Sequence, residues 1–253
     1  MKKPCIHLDW SVEGLQFALE SNDIVVIVDT LRFSSAVVTA VAHGFTVYPV
    51  ADEGEGRELA ASLGAVMAGK PGKAKYSLSP RSFLDRKCAH TSVVLYSPNG
   101  ATCASHIKRN DTAYIGCFLN ARAVAQKVRA CVDRTDRNVT VLACGEQRAF
   151  ASGERIIYVK EDAQRVFAIE DYLACGAILS SIHMDKTAEA TTCEAAFMAT
   201  RDHLLELMLA SFSGRYLQDR GLAADVEHAA QIDLYDIVPV VYGGRIIAAD
   251  ATT

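Results

Sequence analysis

Long apolar runs are missing from this 253-residue chain: no stretch reaches the roughly 18 residues that suggest a membrane-spanning helix. A signal-peptide core is missing too, because the basic Met1-Lys2-Lys3 is soon followed by a polar His7-Leu8-Asp9. A cytoplasmic protein with no membrane partner is therefore expected. Positive charge is in short supply, with 26 Lys and Arg against 30 Asp and Glu, and the basic residues are scattered rather than striped. That balance gives no support to a nucleic-acid surface. The eight cysteines form no Cys-x-x-Cys pair and no His stands at zinc-finger spacing from them, which excludes the common structural zinc sites. No phosphate-binding P-loop, ordered Ser-His-Asp set, internal repeat, low-complexity tract or domain linker is present. What remains is a globular composition, 50% hydrophobic and 22% charged, long enough for a sizeable core. One domain spanning 1–253 is the simplest reading, and the oligomeric state, a homo-oligomer included, is left open.

The stretch VVIVDTLRFSSAVVTAVAHG, Val25 to Gly44, carries the first strong signal. Five apolar residues, Ile24 to Val28, read as a buried strand. A polar knot of Asp29, Thr30, Arg32, Ser34 and Ser35 follows, then an apolar helical pattern that Gly44 ends. The same plan recurs. Thr91 to Tyr96 runs into Ser97-Pro98-Asn99-Gly100, Thr112 to Cys117 into Asn120 and a long helix, and Val139 to Ala143 into Cys144-Gly145-Glu146. Strands alternating with helices predict an α/β fold with a largely parallel sheet and helices on both faces. Ligands of such sheets lie off the carboxyl ends of the strands, so the loops at 29–35, 97–102, 116–120 and 144–146 are expected along one edge. Between them, Gly69 to Phe83 is rich in Gly, Pro, Ser and Lys and reads as a loop that could contact an anion.

Further on, Ser11 is expected to cap a helix through Glu20. VFAIEDYLACGAILSSI, from Val166, reads as a helix that is apolar on nearly every side except at Glu170 and Asp171. Asp171 has Phe167, Ala168, Ala174 and Cys175 as helical neighbours, and a carboxylate there must be hydrogen-bonded or hold a cation. Thr187 to Ser211 reads as helix, and a C-terminal strand at Ile237 to Tyr242 turns through Gly243-Gly244 into a second at Arg245 to Ala248.

The inventory of candidate site residues is carboxylates, hydroxyls and small loops. Asp29, Glu146, Asp171, Asp233 and Asp236 supply the oxygen that a hard divalent cation takes. Magnesium commonly uses one or two carboxylates and fills its octahedron with water and substrate phosphate. Arg32, Ser34, Ser35, Ser79, Asn99, Gly100 and Asn120 could hold an oxyanion through side chains and helix-end amides. Together they fit metal-assisted phosphoryl chemistry. Each has a plainer alternative, as a cap, a turn residue or a satisfied buried acid. A thiol-dependent chemistry at Cys117 or Cys144, both at strand ends, is a further alternative.

The ordered set of motifs resembles the 2-phosphosulfolactate phosphatase family. VVIVDTLRFSSAVVTAVAHG, SLSPRSF, SPNGA, GCFLNARAVA, IEDYLACGAI and AAQIDLYDIVPVV carry the resemblance in order along most of the chain. It implies a three-layer α/β/α fold around a mixed sheet, and a Mg²⁺-dependent phosphatase of coenzyme M biosynthesis. The implied substrate is a small anionic phosphorylated acid, (R)-2-phospho-3-sulfolactate, cleaved to 3-sulfolactate and phosphate. A different phosphorylated or sulfonated metabolite on the same scaffold is the alternative. The resemblance puts Asp29, Arg32, Ser34, Asn99, Asn120, Asp171 and Asp233 at matching motif positions. By chemistry, Asp29, Arg32 and Asp171 are assigned to catalysis. The metal goes to Asp29 with one or more of Glu146, Asp171 and Asp233. The phosphate goes to Arg32 with Ser34, Ser35, Ser79, Asn99, Gly100 and Asn120. Two departures stand out: Ser97, Pro98 and Ala101 flank Asn-Gly where the family usually carries Thr, and the interval from Gly145 to Glu170 is long.

Overall fold

The computed structural model describes residues 3–84, 91–151, 154–157 and 164–249. RIIYV, residues 155–159, reads in sequence as a strand; its last two residues and Cys88 lie outside the described residues. The chain opens with β1 (Cys5–Trp10), α1 (Ser11–Glu20), β2 (Ile24–Val28) and α2 (Phe33–Ala42). β3 (Thr46–Val50), α3 (Glu53–Leu63) and the short β4 (Val66–Met67) follow. Beyond the Ser-Pro loop come β5 (Ser92–Tyr96), α4 (Gly100–Ser105), β6 (Thr112–Ile115), α5 (Ala121–Thr135) and β7 (Val139–Ala143). β8 (Glu146–Ala151), β9 (Glu154–Ile157) and β10 (Gln164–Val166) make a small antiparallel sheet of their own. The rest is α6 (Ile169–Leu179), β11 (Asp185–Lys186), α7 (Ala188–Thr200), α8 (Leu204–Ala210), α9 (Phe212–Gln218), α10 (Ala223–Ala229), and the hairpin of β12 (Pro239–Tyr242) and β13 (Arg245–Ala248).

Local chemistry explains most of these boundaries. Asp52 caps α3 by accepting from the amides of Gly54 and Glu55, and Gly64 ends that helix in the left-handed region at φ 61°. Ser11 is not the cap of α1: Trp10 holds that position, while Ser11 sits at φ 62° with its hydroxyl on the Glu13 carboxylate. Residues 164–166 pair with β8 instead of starting the helix, so α6 begins only at Ile169. The expected helix over 187–211 is broken by a tight 3₁₀ turn at Arg201–His203.

The main sheet has the order β11-β1-β7-β2-β6-β12-β13-β3-β5-β4. β11, β1, β7, β2 and β6 run parallel to one another, and β3, β5 and β4 do the same. Between these blocks β12 pairs antiparallel with β6, β13 with β12, and β3 with β13. Three reversals leave β3, β5 and β4 running opposite to β2. This corrects one expectation. The loops after β2, β6 and β7 leave adjacent parallel strands, but the 97–102 loop leaves a strand of the opposite sense.

It nevertheless reaches Asp29, and α2 packs against strands of both blocks. That helix is buried from Phe33 through Val41 and touches β6, β12, β13 and β3. Its core cluster gathers Val25 and Ile27 of β2, Val47 of β3, Val93 and Leu95 of β5 and Ile246 of β13. Alternate residues of β2 (Ile24, Val26 and Val28) face the second cluster, built with α5, α6, α7 and the later helices. A strand covered on both faces must be apolar throughout, as this one is. The arrangement is α/β, with helices packed on both sides of a mixed sheet.

On the second face, α6 and α7 cross at Gly176, where an added Cβ would lie 2.5 Å from the Cys193 carbonyl oxygen and 2.6 Å from the Phe197 Cβ. Neither neighbour is the free end of a flexible side chain. Gly176→Ala should therefore cost about 1–3 kcal/mol through overpacking, read as a lower urea midpoint at unchanged slope. An unaltered midpoint would show that the two helices can part at no cost.

Candidate active site

Asp29 follows the last residue of β2, where the chain leaves the sheet, and is 4% exposed. Its Oδ2 accepts the Gly100 amide at 2.7 Å and the Ser97 hydroxyl at 3.2 Å, and its Oδ1 accepts the Phe33 amide at 3.3 Å. One carboxylate thus receives the start of α2 and the start of α4 together. Gly100 has to be glycine for this, since a Cβ would lie 2.8 Å from Asp29 Oδ2 and collide with the Phe33 ring. The neighbouring hydroxyls build the turn. Ser34 Oγ accepts the Asp29 amide at 2.9 Å, and Ser35 Oγ donates to the Thr30 carbonyl at 2.9 Å.

Three more acids surround it. Asp171, in the first turn of α6, accepts the Thr30 amide on Oδ1 at 2.7 Å and the Gly145 amide on Oδ2 at 3.0 Å. Glu146 accepts the Asn99 side-chain amide (3.1 Å) and the Gln147 amide (2.9 Å) on Oε1, and the Ser213 hydroxyl (3.2 Å) on Oε2. Glu170, 3% exposed, takes the Thr30 hydroxyl on its backbone carbonyl at 3.2 Å. Among the described residues, Asp29, Glu146 and Asp171 form no ion pair with Lys, Arg or His. The electrostatic result is uniform. Burial, then repulsion from Asp29 and Glu170, pushes Glu146 up to about 7. Burial, then Asp29 and Glu170, holds Asp171 well above the usual carboxylate range. Burial raises Asp29 as well, against the hydrogen bonds from Gly100 and Phe33.

Beside these acids lies an orphan: Asn99 Oδ1 is buried with no hydrogen-bond partner, although its Nδ2 is held by Glu146. An unpartnered buried oxygen next to mutually repelling carboxylates is a donor set that suits a hard cation. Among the described residues, no three His, Cys, Asp or Glu side chains form a closed metal cage. Magnesium does not need one: it keeps several waters and takes one or two carboxylates. The residues present fit it on that basis, with Asp29, Glu146 and Asn99 as the natural holders.

The other candidates separate. Asn120 is fully buried, with Oδ1 on the Cys117 amide and Nδ2 on the carbonyls of Ile115 and Ile237, so it ties the β6 loop to the C-terminal strand region. Asp233 accepts the Arg122 amide at 2.8 Å and so serves the start of α5, while Asp236 is exposed. Ser79 and Arg32 converge on an acid that the sequence did not single out: Asp225 accepts the Ser79 hydroxyl at 2.6 Å and Arg32 Nη1 at 2.7 Å. Arg32 also lines a cleft of about 420 Å³ with Arg57, Lys70, Leu78, Leu95 and Tyr96. Glu170 and Ser213 were missed as well; only the Glu-Asp pair in an apolar helix hinted at the first. Cys117 and Cys144 are fully buried, and burial pushes their thiols up, to about 12 for Cys117, which leaves no reactive thiolate at either position.

A carboxyl whose folded value is raised binds a proton more readily in the folded state than in the unfolded chain. The metal-free protein should therefore lose stability as pH rises from the ordinary glutamate range through about 7. Glu146→Gln removes this loss. In chelator, it should raise Tm clearly at pH 8 and hardly at all near pH 4.5, the difference amounting to a few kcal/mol. An equal shift at both pH values would show that the Glu146 charge is not under strain.

Residues 11–244 match the profile of a family described as 2-phosphosulpholactate phosphatase. Among individual relatives, the 2-phosphosulfolactate phosphatase of Methanothermobacter thermautotrophicus is 29% identical over 90% of this chain and 90% of its own length. Probable 2-phosphosulfolactate phosphatases of Pseudothermotoga lettingae (28%; 90% of this chain, 94% of the relative) and Caldanaerobacter subterraneus (23%; 88% and 89%) align nearly as fully. The motif order and the α/β fold agree with this match, and the chain belongs to the 2-phosphosulpholactate phosphatase family of phosphoric monoester hydrolases.

Proposed function

We propose that the protein is a Mg²⁺-dependent phosphatase that hydrolyses (R)-2-phospho-3-sulfolactate to 3-sulfolactate and phosphate. The observation that carries the reading is the unpartnered Asn99 Oδ1 beside the buried, mutually repelling Asp29 and Glu146. Those three residues would hold the metal, which supplies Lewis-acid polarisation of a phosphoryl oxygen and neutralises its charge. Asp29 is fixed for this task by Gly100, Ser97 and Phe33, so little side-chain freedom is lost when a cation arrives. Asp171 serves through its two backbone amides, keeping the 30 and 145 loops at their mutual distance. Arg32 presents a guanidinium to the phosphoryl oxygens, a role for which its planar fork is suited. Ser79 acts on the same cleft through Asp225, and Ser34 and Ser35 hold the loop in shape. Arg57 and Lys70 line that cleft beyond Arg32 together with Glu53, which pairs with Arg57 at 3.6 Å, so among the described residues Lys70 is the further cation suited to a second negative group on the substrate.

The chemistry asks the chain mainly for positioning and charge compensation, as phosphoryl transfer does generally. Phosphate release from phosphosulfolactate and from phospholactate should require Mg²⁺. Asp29→Asn should lower kcat by about 10²–10³ and weaken Mg²⁺ binding measured by calorimetry. No metal-dependent release from either substrate would sink the proposal. Release from phospholactate alone would move the substrate to an unsulfonated acid.

A further inference from the structure

Asp225 stands apart from the acid group around Asp29. It lies in α10, is 2% exposed, and joins segments far away in sequence. Its Oδ2 accepts Arg32 Nη1 at 2.7 Å and its Oδ1 accepts the Ser79 hydroxyl at 2.6 Å. Both oxygens are thereby directed, and the carboxylate has little freedom to rotate. One turn along the same helix, burial holds the His228 ring toward its neutral form despite the opposing pull of Asp225, and its Nε2 lies 3.0 Å from Thr39 Oγ1. Arg32 is the cation that answers the Asp225 charge.

The Arg32 side chain is only 14% exposed and makes no other hydrogen bond among the described residues. Anchored through Nη1 alone, it keeps Nε and Nη2 for a ligand in the cleft that it lines. Two parallel N–H donors on one edge of a fixed plane are what a phosphoryl group accepts in bidentate fashion. An arginine without an anchor would have to lose its rotamer freedom each time an anion bound.

We propose that Asp225 is a positioning residue: it aims the free edge of the Arg32 guanidinium at the phosphate, with Ser79 holding the carboxylate at the right angle. The inference rests on the reading of the Arg32 cleft as the phosphate site. It gives α10, which carries none of the candidate site residues, a part in substrate binding, and it makes the Ser-Pro loop an indirect contributor. The charge of Asp225 also offsets that of Arg32, so the cleft binds phosphate by direction more than by net positive charge.

The test is a double-mutant cycle on inorganic phosphate, read by calorimetry and as product inhibition, together with KM and kcat. Arg32→Ala should weaken phosphate by about tenfold or more, and Asp225→Asn should weaken it by a similar factor, with the larger change in KM than in kcat. In the Arg32→Ala background, Asp225→Asn should have no further effect on phosphate, even if it lowers Tm in both backgrounds. Asp225→Glu keeps the charge and should recover part of the loss. Equal losses from Asp225→Asn in the two backgrounds would overturn the inference and reduce Asp225 to a support of the fold. Should Asp225→Asn fail to fold, Asp225→Glu takes its place, because shifting the pair by one methylene should weaken phosphate in the wild-type background and not with Arg32→Ala. If Arg32→Ala leaves phosphate affinity unchanged, the cleft is not the phosphate site and both ideas fall. If Arg32→Ala weakens binding and neither Asp225 variant does, only the positioning role falls.

Discussion

Carboxylates that share a buried volume repel one another, and this protein places four of them, Asp29, Glu146, Glu170 and Asp171, at 3–4% exposure around one point. The rest of the architecture can be read as the means of holding them there. Four backbone amides from three separate loops turn toward the acids: Phe33 and Gly100 to Asp29, Thr30 and Gly145 to Asp171. Each amide comes from the start of a helix or from the end of a strand, where it has no partner inside its own element. The electrostatic cost of the acids and the unsatisfied ends of the elements therefore cancel against each other. A cation bound there would offset the repulsion that remains.

Much of this was legible in the sequence, and the limits have physical causes. The strand at Ile24–Val28 and the knot after it could be read because a doubly covered strand needs unbroken apolar residues and a site needs polar ones. Asp171 was visible as a charge among apolar helical neighbours. By contrast, Asn120 and Asp233 look in sequence like the other polar loop residues, yet Asn120 serves a backbone amide and carbonyls and Asp233 a backbone amide. Whether a polar group faces a ligand or the main chain depends on the path of the chain in three dimensions. Asp225 was invisible for the complementary reason. It sits in a seven-residue helix just before the last motif rather than in it, and its partners are 193 and 146 residues away.

The sheet taught the same lesson at larger scale. Alternating strands and helices predicted a parallel sheet, and within each block the sheet is parallel. Pairing sense between blocks is not written in local pattern, because β12 and β13 are short strands whose neighbours, β6 and β3, lie far upstream. The reversal that they introduce brings the 97–102 loop to Asp29 from the other side and lets one carboxylate join two helix starts.

That hairpin has a consequence for how the molecule comes into being. Among the described residues, the ten strands form one sheet only through β12 and β13, residues 239–248. During synthesis the β2 block and the β3 block can each acquire their own pairings early, but no hydrogen-bonded strand connects them until those residues have left the ribosome. The four acids all lie on the β2 block, after β2, after β7 and in α6, so they can meet before the hairpin is made. What must wait for it is the set of bonds from the other block, Gly100 and Ser97 to Asp29 and Asn99 to Glu146. Long-range closure of this kind is slow relative to local helix formation. The acids would therefore repel one another in the growing chain before the loop that compensates them has docked.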